Sequence, residues 1–540
     1  MKNPILICTK EDSNKKSTYN VSEALLVWDK RVNEELDHMR SIAVLGGGEA
    51  KIAKQHASGK LTARERLDLL FDEGSFVEVD TFIHPQIDDF DINCTGVLGD
   101  GVITGYGKIN GRLAFASSQD FTVSGGALGK YHALKICRII DMAMDMRVPF
   151  ISINDSGGAR IEEGIYSLGG YGGIFLRNTL ASGVIPQISV VMGPCAGGAC
   201  YSPAICDFIF MTEETSRMFI TGPKVVKSVT GQTITPSELG GAKVHMETSG
   251  VAHFSYKNDE LCLRGVRKLL AYLPQNNTDK LPVKHGQPMD NSYKLQNIVP
   301  DNQCMTYDVH DVIDAIVDGI SFFEVQKTFA KSMVVGLARM DGETLGIVAN
   351  QPNWTAGAID YNAADKAARF IRFCDCFNIP IVSLIDVTGF LPGKHQEYNG
   401  IIRHGAKLLF AYSEATVPKI SLIMRKAFGG AYVAMNSKSI GADSVYAWPT
   451  AQIAVMGAAG AVDILYKNRI ENASNKDEER NNLIKQYEEK FMNPYIAAAC
   501  GYVDQVIRPE ETRQKIKVAL DMLKNKKKDI PYKKHGNIPL

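Results

Sequence analysis

Set against itself at an offset of about 231 residues, the chain repeats. Asn110-Gly111 corresponds to Asp341-Gly342, Gln119 to Gln351, and Gly126-Ala127 to Gly357-Ala358. Lys135 and Arg138 correspond to Lys366 and Arg369, and Val148-Pro149-Phe150 to Ile379-Pro380-Ile381. Asp155 and Gly158 fall on Asp386 and Gly389, Gly197-Gly198-Ala199 on Gly429-Gly430-Ala431, and Asp207 on Asp443. Packing explains any one pair. A series in one order at nearly constant spacing marks an inherited duplication, with or without a retained second site. Whatever fold one half adopts, the other must share. A chain of 540 residues also exceeds what one ordinary core covers. The polar, proline- and asparagine-containing text between Pro274 and Pro300 reads as the junction. The expected division is a flexible tail over 1–20, a first domain over 21–275, a linker over 276–305 and a second domain over 306–540.

Local patterns give the fold class. Val21 to Met39 has helical spacing, ended by Gly46-Gly47-Gly48. Thr62 and Glu65 stand at capping-box positions. Ser75 to Val79 alternates as a strand does, and Gly101 to Tyr106 and Leu113 to Ser117 predict a hairpin turning at Asn110-Gly111. Gly125 to Met146 and Tyr171 to Leu180 read as helices; Val148 to Ile153, Ile188 to Met192 and Asp207 to Met211 read as buried strands. Helices alternating with buried strands predict an α/β fold.

Composition narrows the function. Net charge is zero and apolar residues make up 45%, which describes an ordinary globular protein and gives no basis for nucleic-acid binding. No apolar run is long enough to span a bilayer. The eleven cysteines include no C-x-x-C pair, so neither a structural zinc site nor a redox motif is expected, and Cys195 reads as a small filler. No metal site is expected. The N-terminus has no secretory signal; a cytoplasmic location fits, or the mitochondrial matrix in a eukaryote.

Two stretches carry the chemistry. The apolar run Ile188–Met192 ends in Gly193-Pro194-Cys195-Ala196-Gly197-Gly198-Ala199, and the run Ile420–Met424 ends in Arg425-Lys426-Ala427-Phe428-Gly429-Gly430-Ala431. Glycines where a strand turns into a helix let backbone N–H groups approach a ligand and hold negative charge developing on oxygen. One such turn would be weak evidence; two suggest a reaction in which two carbonyl oxygens gain charge. There is no G-x-S-x-G and no H-E-x-x-H. His132, His245, His253, His310 and His404 are single and scattered. With no dedicated acid or base, the substrate or a carried cofactor is expected to move the proton.

These residues resemble the biotin-dependent acyl-CoA carboxyltransferases, most closely the propionyl-CoA carboxylase β-subunit type, with transcarboxylase and methylmalonyl-CoA decarboxylase subunits nearly as close. The resemblance runs from about residue 40 to the C-terminus. It rests on Gly59-Lys-Leu-Thr-Ala-Arg-Glu-Arg66, Ser118-Gln-Asp-Phe-Thr122, Asn154-Asp-Ser-Gly-Gly-Ala-Arg-Ile161, the stretch Gly193–Ala199, Phe219-Ile-Thr-Gly-Pro223, Gly389-Phe-Leu-Pro-Gly393 and the ending Asn537-Ile-Pro-Leu540. It implies two tandem crotonase-like (ClpP-like) domains and a homohexamer built as a trimer of dimers. Each active site would lie between the N-terminal domain of one subunit and the C-terminal domain of another.

Carried over residue by residue, the resemblance implies that Gly197 and Gly198 donate to the thioester oxygen of an acyl-CoA. Gly430 and Ala431 would donate to the ureido oxygen of biotin. Carboxybiotin would release CO₂, the biotin anion would take the α-proton, and the enolate would attack CO₂. Gly157, Gly158, Ala159 and Arg160 would lie near the CoA, Arg160 as either a phosphate contact or a salt bridge at a domain edge. The chain has no Met-Lys-Met biotin attachment site and no ATP-grasp loop, so a biotin carboxylase and a biotin carrier are expected as partners. Propionyl-CoA carboxylases of this family commonly carry Asp where this chain has Val433, which opens the acyl specificity to acetyl-CoA as well as propionyl-CoA. Trp354, unusual in its loop, is expected to pack. The same chemistry in reverse, a decarboxylase or transcarboxylase subunit, is the alternative, with a membrane partner only for the decarboxylase. A non-catalytic CoA-binding scaffold is the second alternative.

Overall fold

The computed structural model describes residues 21–84, 97–284, 290–300 and 302–540. The expected tail over 1–20 lies outside them. The first half forms an eight-stranded mixed sheet: β1 (Val77–Val79), β2 (Val102–Ile109), β3 (Arg112–Gln119), β4 (Phe150–Ser156), β5 (Gln187–Ala196), β6 (Phe208–Thr212), β7 (Arg217–Phe219) and β8 (Phe254–Tyr256). Their order is β1-β2-β3-β4-β5-β6-β8, with β7 paired to the far end of β5. The second half forms β9 (Phe323–Val325), β10 (Met333–Met340), β11 (Glu343–Asn350), β12 (Ile381–Val387), β13 (Lys419–Phe428), β14 (Ser444–Ala447), β15 (Gln452–Ala454) and β16 (Gln505–Val506). Their order is β9-β10-β11-β12-β13-β14-β16, with β15 on β13. In each sheet the first three strands are antiparallel and the rest parallel. The two halves therefore share one fold, as the repeat requires.

The duplication reaches single hydrogen bonds. In the β2–β3 hairpin, Asn110 and Gly111 donate their N–H groups to Asp72 at 3.1 and 2.8 Å, and Arg267 pairs with the same carboxylate at 2.7 Å. In the β10–β11 hairpin, Asp341 and Gly342 donate to Asp318 at 3.0 and 2.8 Å, and Arg513 pairs with it at 2.7 Å. Asp207 accepts from the N–H of Gln187, and Asp443 from that of Lys419, each at 2.8 Å. Lys135 and Lys366 are buried beneath their crossover helices, Lys130–Met146 and Tyr361–Cys376, with their ammoniums on main-chain carbonyls. One expected correspondence shifts. The N–H of Asp155 donates to Gln119 and that of Asp386 to Asn350, so Asn350, the last residue of β11, takes the place of Gln119. Gln351 lies one residue further on, where its amide bonds Asp308 at 2.7 Å.

Central parallel strands such as β4 and β12 are buried over their whole length, because helices cover both faces. The cores of the two halves meet. Phe208 packs edge-on against Phe373 at 4.6 Å and Phe254 stacks on Phe323 at 4.9 Å. Arg369 bonds the Cys206 carbonyl at 2.7 Å, whereas Arg138, its counterpart in the repeat, is exposed. Leu295 and Val299, within the stretch read as a junction, are buried with Tyr307 in the second core.

Candidate active site

Both Gly-Gly turns lie at corresponding strand ends. β5 runs to Ala196; Gly197 then takes φ +62°, a 3-10 turn covers Gly197–Cys200, and the short helix Tyr201–Ile205 follows. β13 runs to Phe428; Gly429 takes φ +60° and opens the helix Gly429–Ala434. Left-handed backbone suits glycine and few other residues, which accounts for a Gly at both corners. The first N–H groups of a helix have no acceptor within it, and Gly197 and Gly198, and likewise Gly430 and Ala431, stand at such first positions. By backbone geometry the counterparts of Gly197 and Gly198 are Gly429 and Gly430. The pair Gly430 and Ala431 lies one residue deeper into the second helix.

The base of each turn is an ion-paired strand bulge. Opposite Asp155, β5 carries two extra residues between Val191 and Cys195, and opposite Asp386, β13 carries two between Ile423 and Ala427; each carboxylate faces that bulge. Asp155 is fully buried. Lys60 reaches it at 2.8 and 2.9 Å and Arg66 at 2.9 Å, and Arg66 also binds Asp259 at 2.8 Å. Asp386 is held by Arg425 at 3.0 Å and by the N–H of Lys426 at 3.1 Å. Sequence reasoning used Asp155 as a repeat and motif position and gave Lys60 and Arg66 no role beyond their motif. The structure makes all three the foundation of the turn.

The loop after β4 abuts the first turn: a β-carbon on Gly158, at φ +110°, would lie 3.1 Å from the Ala196 carbonyl. Arg160 is buried on Asp100 and Glu163, the latter at 2.9 Å, so its guanidinium anchors this loop from within. Cys195 does fill a buried position, and its Sγ also donates to the Ala199 carbonyl at 3.2 Å. Cys200 Sγ donates to that of Gly197 at 3.0 Å. Val433 is half-buried one residue beyond Tyr432. Trp354 does not pack away; it is 49% exposed, with the Lys331 ammonium 4.6 Å above its ring.

The titratable groups at the turns are not poised as bases. Burial pushes the thiols of Cys195 and Cys200 and the phenols of Tyr171 and Tyr432 upward, keeping them neutral. Burial also holds His132 well below the usual imidazole range. His253 accepts from the Ile209 N–H, His245 bonds the Met218 carbonyl and His404 pairs with Asp365. His310 lies between Asp308 and Glu324 at 2.6 and 3.0 Å. Each of these five histidines has a structural partner or a buried site. Beside each turn stands an exposed aliphatic side chain, Ile220 after β7 and Val455 after β15, 62% and 82% exposed. The helix Ile165–Ala181 adds exposed Ile165, Leu168, Leu176 and Leu180. Among the described residues no helix is long and apolar enough to cross a membrane, and no cluster of His, Cys, Asp or Glu could hold a metal.

Comparison with known proteins agrees with this fold. Residues 54–538 match the model of the carboxyl transferase domain. The chain is 56% identical over 511 residues to the carboxyltransferase subunit of propionyl-CoA carboxylase from Haloferax mediterranei, covering 94% of this chain and 99% of that one. It is 54% identical over 497 residues to the methylmalonyl-CoA decarboxylase subunit alpha of Veillonella parvula, covering 92% and 96%. The crystal structure of transcarboxylase 12S, a hexamer with methylmalonyl-coenzyme A bound, superposes with a TM-score of 0.91 at 50% identity, covering 94% of this chain and 98% of that one.

Proposed function

The chain belongs to the carboxyl transferase domain family, and on that premise we propose that it is the carboxyltransferase component of a biotin-dependent acyl-CoA carboxylase, acting on propionyl-CoA, acetyl-CoA or both. One observation carries the reading: two turns with a left-handed glycine stand at equivalent strand ends, and His132, His245, His253, His310 and His404 have structural partners or buried sites away from a base's role. Both the transferred carboxyl group and the proton acceptor are supplied by carboxybiotin when it is bound. The chain's own part is to hold charge and exclude water. Gly197 and Gly198 donate to the thioester oxygen as the α-carbon is deprotonated. Gly430 and Ala431 donate to the ureido oxygen. Each donor is worth about 3–4 kcal/mol in the transition state. The backbone of Gly157, Gly158 and Ala159 faces the CoA, and Arg160 ties that loop down through Asp100 and Glu163.

A biotin carboxylase and a biotin carrier would complete the enzyme, on a homohexameric core. The exposed aliphatic side chains around both turns fit a site closed by another copy of the chain. The reverse transfer, from methylmalonyl-CoA, is the second reading, favoured by the 54% identity with a decarboxylase subunit. Both directions use the same turns. The test is incubation of the purified chain with methylmalonyl-CoA and free biotin. Slow decarboxylation that depends on biotin is expected; a rate equal to the biotin-free control would overturn the assignment.

A further inference from the structure

The helix Ile165–Ala181 brings one aromatic ring directly under the first turn. A β-carbon built on Gly198 would lie 3.0, 3.1 and 3.3 Å from Cδ2, Cγ and Cε2 of Tyr171, so the ring fills the space a side chain would need at the peptide assigned to the thioester oxygen. Tyr171 is 5% exposed and stacks on Phe175 at 5.9 Å and 29°. Phe175 meets Tyr201, the first residue after the turn, edge-on at 6.2 Å and 82°. The three rings bracket the turn from both ends. Behind them is a cavity of about 20 Å³ lined in part by Tyr171, Ala199, Asn154 and Ser202. The Tyr171 hydroxyl interacts with the Ser156 side chain, and the ring itself is held by packing.

The second half is built differently. There a β-carbon on Gly430 would be 3.9 Å from the nearest atom of Phe390, ordinary contact distance. The tight aromatic prop belongs to the acyl half.

We propose that Tyr171 is a positioning residue for carboxyl transfer, its ring fixing the plane of the Gly197–Gly198 turn so that the N–H groups point at the thioester oxygen. The inference rests on the assignment of that turn to the thioester oxygen. Displacing a donor array by about 1 Å costs about a hundredfold in rate. Because the array acts in the transition state, the loss falls on kcat more than on KM.

The experiment measures biotin-dependent decarboxylation of methylmalonyl-CoA by the full chain and its variants. Tyr171→Leu is expected to lose about a hundredfold in kcat with KM within about threefold of wild type. Tyr171→Phe, which keeps the ring, should retain kcat within about threefold. Ile140→Ala, a buried change in the same core, serves as the control for lost stability and should leave kcat unchanged. A folded Tyr171→Leu with kcat within threefold of wild type, or an Ile140→Ala that falls as far, would overturn the proposal. Should Tyr171→Leu fail to fold, Phe175→Leu removes the stacking partner instead. About a tenfold loss in kcat supports the proposal, and unchanged kcat overturns it. Absence of biotin-dependent turnover in the wild type would overturn the reading of the turn, and the inference with it.

Discussion

Val433 and His310 show two ways in which a side chain acts without doing chemistry. Val433, half-buried beyond the second turn, gives its surroundings neither a charge nor a hydrogen bond. One methylene is worth about 1–3 kcal/mol in a hydrophobic pocket, so discrimination between acetyl-CoA and propionyl-CoA should stay below about a hundredfold. Val433→Asp should shift the kcat/KM ratio toward propionyl-CoA; a wild type that already rejects acetyl-CoA by several thousandfold would remove Val433 as selector. Glu324, and then Asp308, raise the His310 imidazole to about 9. A folded pKa above the unfolded value of about 6.5 means that the charged pairing stabilises the fold fully below that pH and fades as pH rises through 9. The difference in melting temperature between wild type and His310→Gln should therefore be largest at pH 6, smaller at pH 8 and gone by pH 10. Comparing the two proteins cancels Lys135, which burial lowers to about 8 in both; Lys366, lowered to about 7 by burial, shares Glu324 with His310. A difference that does not change with pH would show that the histidine acts through packing.

Single elements show what was legible in the sequence and what was not. The capping box at Thr62 and Glu65 and the hairpin at Asn110-Gly111 were readable because their determinants lie within three residues of one another. The ion pairs beneath the first turn were not: Lys60 and Arg66 meet Asp155, and Arg66 meets Asp259, across 89 to 193 positions of sequence. Removing one partner of such a group leaves a buried charge uncompensated. Arg66→Met should therefore cost about 3–5 kcal/mol of stability, measured by urea unfolding. Loss below about 1 kcal/mol would contradict the network's structural role. Gln351 was paired with Gln119 by residue identity, while the strand register put Asn350 in that place. The helix Ile165–Ala181 begins before the expected Tyr171 because its glycines hide helical propensity. Gly170 packs tightly on Ala133, but a β-carbon on Gly172 would meet nothing within 4 Å of this chain. Gly172→Ala should raise helix stability by about 0.5–1 kcal/mol in an isolated subunit. If another copy covers this face, the same change should weaken assembly, as sedimentation would show. Unimpaired assembly would place the interface elsewhere.

At the scale of the whole molecule, the duplication was legible in all but the Gln119 correspondence. Two sheets share one strand order, two buried carboxylates facing strand bulges underlie two turns, and two left-handed glycines stand at corresponding corners. Less legible was how the halves diverged. Arg138 faces solvent and Arg369 the other half, and the close aromatic prop lies under one turn only. The central claim is that carboxyl transfer needs both turns, one from each kind of half. Its most direct test mixes two inactive variants. Gly198→Pro removes a donor from the first turn and Ala431→Pro one from the second. If a site joins the first half of one subunit to the second half of another, random reassembly leaves about one site in four with both turns intact. Each variant alone should be inactive, and the reassembled mixture should regain about a quarter of wild-type biotin-dependent turnover. No regained activity in oligomers shown to contain both variants, or full activity in either variant alone, would contradict the account.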